Sequence, residues 1–151
     1  MFNDFLATFS QQLTPQMWGV VATATYETIY ISFASTLLAV VVGVPVGVWT
    51  FLTGKNEILQ NNRTHFVLNT IINIGRSIPF IILLLILLPV TRFIVGTVLG
   101  TTAAIIPLSI CAMPFVARLT ANALMEIPNG LTEAAQAMGA TKWQIVRKFY
   151  L

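Results

Sequence analysis

Hydrophobic residues along this chain come in long unbroken blocks separated by short polar stretches, and the blocks have membrane dimensions. Between Glu27 and Lys55 no charged side chain occurs. At about 1.5 Å per residue such a run crosses a hydrocarbon core about 30 Å thick with length to spare, which predicts a first spanning helix over about 24–52. Within it, Gly43 and Gly47 have a spacing that allows close helix approach, and Pro45 between them is able to kink the helix. Residues 53–65 are polar and predict a loop carrying Lys55 and Arg63. A second span follows over about 66–90. Its strictly uncharged part, 77–91, is too short to cross alone, so 66–75 must contribute and Arg76 falls at some depth. A charge near the bilayer centre costs roughly 3 kcal/mol. That makes Arg76 a candidate for the translocation path, against intramembrane pairing or snorkelling as the structural readings. Pro79, three residues on, predicts a bend there.

Residues 89–100, with Arg92, Gly96 and Gly100, predict a second turn region. A third span is expected over about 101–124, interrupted by Pro107 and Pro114 and therefore bent, with Arg118 and Asn122 near its far end. The first 20 residues contain Asp4 and no base, so they lack the basic region of a secretory signal. Their aromatic residues Phe2, Phe5, Phe9 and Trp18 suit a lead-in at the membrane interface.

Composition turns this pattern into a class. Of 151 residues 56% are apolar and 9% charged, with mean hydropathy +0.83, where a soluble domain carries about 25% charged residues. The chain is expected to be an all-α integral membrane protein forming one transmembrane domain over 1–151. The net charge of +3 is small, and its distribution matters more. Bases gather in the 53–65 loop and beyond the third span, at Lys142, Arg147 and Lys148. By the rule that basic loops stay cytoplasmic, the N-terminus lies outside, the chain crosses three times, and the region from 125 onward lies inside.

Chemistry-bearing residues are sparse. Cys111, the single cysteine, sits in an apolar run and reads as packing. His65, the single histidine, reads as an interfacial residue at a helix start. No cluster offers a metal site, no paired acids or Ser/His arrangement converge on the spans, and no Gly-rich phosphate loop is present. Neither catalysis nor a cofactor is expected.

The segment after the third span is built differently. Pro128 stops the preceding helix and Asn129 suits an N-cap. Leu131, Ala134, Ala135 and Met138 fall at i, i+3, i+4 and i+7 on one face, nearly flat because of its alanines, so that a partner surface could approach it closely. Glu133 falls in the first turn or so, where a carboxylate suits the helix dipole. Gly139 is placed to end the helix, and Thr141 with Gln144 matches a capping box. The helix that follows is basic and amphipathic, suited to the headgroup level. An amphipathic helix leading into another span would share these features.

Glu133-Ala134-Ala135, then Gly139, then Phe149 and Leu151 resembles the EAA loop, the cytoplasmic signature of permease subunits of bacterial type I ABC importers. The stretches 76–84, 95–97, 106–108, 113–118 and 122–128 are similar to the methionine-import branch of that family. The resemblance covers about 18–151. It implies a helical bundle of five spans per copy, three of them present here, in a homodimeric permease of the bacterial inner membrane. Glu133, Ala134, Ala135 and Gly139 would then belong to a coupling helix seated on a cytoplasmic ATP-binding subunit. That subunit hydrolyses ATP, and the permease is not itself an enzyme. An extracytoplasmic binding protein, usually a lipoprotein, would deliver the amino acid. Membrane lipid is the other expected partner, and nucleic acid is not one. The family pattern continues past Leu151 with a proline and two more spans. The resemblance therefore implies a piece of a longer permease, or a product that binds partners without transporting. A permease for another amino acid or small polar solute is the alternative within the class.

Overall fold

The computed structural model describes residues 15–55 and 57–147. Every element among them is a helix: α1 Pro15–Leu52, α2 Asn62–Ser77, α3 Phe80–Val95, α4 Thr101–Met125, α5 Asn129–Ala137 and α6 Lys142–Ile145. Phe2, Phe5, Phe9, Lys148, Phe149 and Leu151 lie outside the described residues.

Two helices, α1 and α4, are long and apolar enough to cross a membrane singly. The 38 residues of α1 extend about 57 Å, well beyond a core of about 30 Å. Part of the segment expected as an interfacial lead-in is therefore the continuation of this helix, and Trp18 is exposed on it. The chain helix continues through Pro45. The two glycines around it have a clear packing purpose: a β-carbon on Gly43 would lie 2.8 Å from Cβ of Val116, and one on Gly47 would lie 2.5 Å from the Ala117 carbonyl oxygen. The spacing that suggested close approach is the α1–α4 contact.

The second expected span is two helices rather than one. α2 and α3 meet at 106° across Ile78 and Pro79. Proline at 79 disfavours helical geometry at the residue before it, and Ile78 is extended at φ −78° and ψ 125°. Each arm is 16 residues, about 24 Å, so the pair makes one broken span or a re-entrant loop. The loop before α2 is shorter than predicted, because Asn61 caps the helix by accepting from the Arg63 and Thr64 N–H groups at 3.2 Å. Residues 62–65 are thereby helical. The turn predicted over 89–100 is also shorter. α3 runs through Pro89 to Val95 and ends at Gly96, whose φ of +82° requires the left-handed region that glycine adopts freely.

The core gathers at the end of the bundle where α1 and α4 finish. Val48, Phe51 and Leu52 of α1 and Leu124 of α4 pack there with Ala135, Ile145 and Val146, joined by half-buried Ile58 and Ile127. The loop after α1 and the turn at 145–147 therefore lie at the same end.

Candidate functional site: the α5–α6 surface and the polar face of α2

α5 is placed by what its back does. Ala135 is 1% exposed and lies in the core cluster with Phe51 and Ile145. The face expected to meet a partner as a unit is therefore divided. Ala135 faces the chain's own spans, while Leu131 (50% exposed), Ala134 and Met138 (81% exposed) remain outward. The four residues span about 100° of the helix, with 135 at one edge of that arc, and it is this edge that lies in the cluster with Phe51, Ile145 and Val146. Glu133 is exposed and is the fifth residue of α5, past the first turn. The helix begins at Asn129 itself, the residue expected to cap it from outside, and the Pro128 carbonyl accepts from the Leu131 N–H at 3.0 Å.

The end of α5 follows the sequence closely. Gly139 has φ +81°. The Ala140 N–H donates to the Ala135 carbonyl at 3.0 Å, the six-to-one bond of a Schellman motif. Thr141 and Gln144 close the capping box: the Thr141 N–H donates to Gln144 Oε1 at 2.8 Å, and the Gln144 N–H to Thr141 Oγ1 at 3.4 Å. The box starts α6, whose Ile145 is fully buried while Trp143 is 71% exposed. A short rigid hairpin of helices thus presents Leu131, Ala134, Met138 and Trp143 outward and is fastened from behind.

The second feature is polar. At about 100° per residue, Asn62, His65, Asn69, Thr70, Asn73, Arg76 and Ser77 fall on one arc of α2 roughly 140° wide, which only Phe66 interrupts. One flank of the helix, beside the arc, packs on α4: Ile72 is buried, and a β-carbon on Gly75 would come within 2.7 Å of Pro114 Cγ, while Val67 and Ile71 on the side away from the arc are exposed. His65 is half-buried near the start of α2. The Asn69 amide nitrogen donates to its Nε2 at 3.1 Å, so Nδ1 carries the proton and donates to the Thr50 carbonyl at 2.9 Å. The ring ties the start of α2 to the end of α1. Arg118 of α4 donates from Nη2 to Asn73 Oδ1 at 2.6 Å.

Two open clefts run along this arc. One, of about 400 Å³, is lined by Lys55, Asn62, His65, Phe66, Asn69, Thr70 and Asn73. The other, of about 520 Å³, is lined by Thr70, Asn73, Ile74, Ser77, Ile78, Pro79 and Ile82. Arg76 is exposed in the last turn of α2. Among the described residues it is the Arg118 guanidinium that bonds a side chain, and the sequence assigned it no role. A period-3.6 polar stripe from Asn62 to Ser77 was the readable signal for it, obscured by treating 62–65 as loop.

The sequence model of the family described as binding-protein-dependent transport system inner membrane component matches residues 43–151. A probable D-methionine transport system permease protein of Haemophilus influenzae is 98% identical over 135 residues, which cover 89% of this chain and 63% of that protein. The D-methionine transport system permease protein of Escherichia coli strain K12 is 50% identical over 137 residues, 91% and 63% of the two chains. Among solved structures, an inward-facing conformation of the MetNI methionine ABC transporter superimposes with a TM-score of 0.90 at 47% identity, over 92% of this chain and 64% of that one. The chain spans just under two thirds of the length of these relatives.

Proposed function

The chain belongs to the family of binding-protein-dependent transport system inner membrane components, and from that premise we propose that it is the membrane-spanning part of an ATP-driven methionine importer. In this reading α1, α4 and the broken α2–α3 pair form part of the translocation domain, and the α5–α6 surface couples it to a cytoplasmic ATP-binding subunit that performs the hydrolysis. The permease acts as a homodimer and receives methionine from an extracytoplasmic binding protein. The observation that carries the reading is the α5–Gly139–α6 hairpin. Its outward side is flat and apolar at Ala134 and Met138, while Ala135, Ile145 and Val146 lock its inner side to α1 and α4. A load applied to the outer face is passed directly to the two spans, as coupling requires. The likeness to methionine permeases supports the substrate.

The orientation, with coupling region inside and N-terminus outside, is supported by the shared core. That core holds the Lys55 loop and the Arg147 region at one end of the bundle, and a basic end faces the cytoplasm. The test is uptake by the full permease reconstituted with its ATP-binding subunit and binding protein in proteoliposomes. ATP-dependent accumulation of labelled methionine is expected, above that of other amino acids at equal concentration. Preference for another amino acid, or ATP-independent uptake, contradicts the reading.

A further inference from the structure

The polar arc of α2 has no reason to exist on a helix packed in lipid, where unpartnered amides and hydroxyls are costly. It extends along the whole helix, about 24 Å, and its two clefts share Thr70 and Asn73, so they form one continuous groove. The groove is polar and cationic at one end, through Lys55 and Asn62, and becomes apolar toward the bend, through Ile74, Ile78 and Ile82. No carboxylate lines it among the described residues. Arg118 of α4 bonds Asn73, a residue that lines both clefts, at 2.6 Å. A guanidinium carries five N–H donors in a planar fork. Asn73 occupies one, and the remaining donors match a carboxylate in bidentate geometry.

We propose that this groove is a wall of the solute path and that Arg118, positioned by Asn73, receives the α-carboxylate of the passing amino acid, with the isoleucines beside it accommodating an apolar side chain. The inference rests on the reading of the chain as an amino-acid permease. The transient partner is a carboxylate on a small zwitterion, because the groove offers fixed positive charge and amide groups but no anion.

The experiment uses the full permease with its ATP-binding subunit in lipid nanodiscs, with Cys111→Ser as background. Single cysteines replace Asn69 and Ser77 on the arc, and Val67 and Ile71 off it. A small water-soluble thiol reagent is expected to modify the arc positions at least tenfold faster. Equal rates on both sides, or an unreactive arc, overturn the path, the latter because a protein surface then covers the stripe. Methionine should slow modification of Ser77→Cys severalfold, while methioninamide, which lacks the carboxylate, should not. Arg118→Gln should abolish that protection and Arg118→Lys should keep part of it. Protection by both compounds, or protection surviving in Arg118→Gln, removes Arg118 from the role. A wild-type complex that accumulates no methionine defeats the amino-acid reading and this inference with it. Normal uptake with the wrong labelling pattern defeats the inference alone.

Discussion

Gly47 shows most directly how single residues set this bundle. Its Cα lies so near α4 that one added carbon would meet the Ala117 carbonyl oxygen at 2.5 Å and Thr120 Cβ at 2.7 Å. Backbone cannot rotate aside as a side chain can, so Gly47→Ala is expected to lower stability by about 1–3 kcal/mol, read as a fall in thermal midpoint in detergent. Gly19, where nothing lies within 4 Å, serves as the control. An unchanged midpoint for Gly47→Ala would mean that α1 and α4 do not pack as described. Glu57 makes a second residue-scale case. It is half-buried in the loop between α1 and α2, and desolvation raises its pKa above the ordinary 4.5. The folded state therefore favours the neutral acid. That preference stabilises the fold fully below 4.5 and is lost as pH rises through the raised value. Glu57→Gln should flatten this part of the pH dependence of thermal stability, and an identical slope in the variant would contradict the account. Glycine spacing was legible in the sequence at 43 and 47. The loop position of Glu57 was legible too, but its burial depends on the chain folding back on α1.

At the scale of elements, the ending of α5 could be read from spacing alone because caps are local. Gly139, Thr141 and Gln144 act on backbone groups within five residues, and each stands where the pattern put it. Thr141→Ala should cost about 1 kcal/mol of local stability, seen as roughly fivefold faster amide exchange at Ile145 and Val146, with α1 unaffected. Exchange unchanged at both sites would mean that the box does not hold α6. What periodicity could not give was which part of the α5 face turns inward. Leu131, Ala134, Ala135 and Met138 share one helical face in sequence. Burial of Ala135 alone follows from the approach of Phe51, remote in the chain, and of Ile145 from the next helix. The break between α2 and α3 was half legible. Pro79 announced a bend, but nothing local to the chain fixes its angle at 106°. Lengths read from hydropathy merged the two arms into one span, because both arms are apolar enough when averaged together.

At the scale of the molecule, the proposed coupling asks the parts to work as a lever. The α5–α6 hairpin is fixed to the same cluster that joins the ends of α1 and α4, and α4 carries Pro114 against Gly75 and Arg118 against Asn73 on the polar helix. In the proposed reading, motion delivered to the hairpin would reach the α2 groove through these packed contacts of α4. Substitution at Ala135 would damage the fixture itself, so the outward residues are the sites at which coupling can be tested without unfolding. The most direct measurement compares methionine accumulation and permease content of membranes for the full complex with Leu131→Asp and Met138→Asp together. The expected result is at least a tenfold loss of accumulation, with the amount of permease in the membrane unchanged. Accumulation equal to that of the unsubstituted complex would contradict the claim that this surface carries the drive for transport.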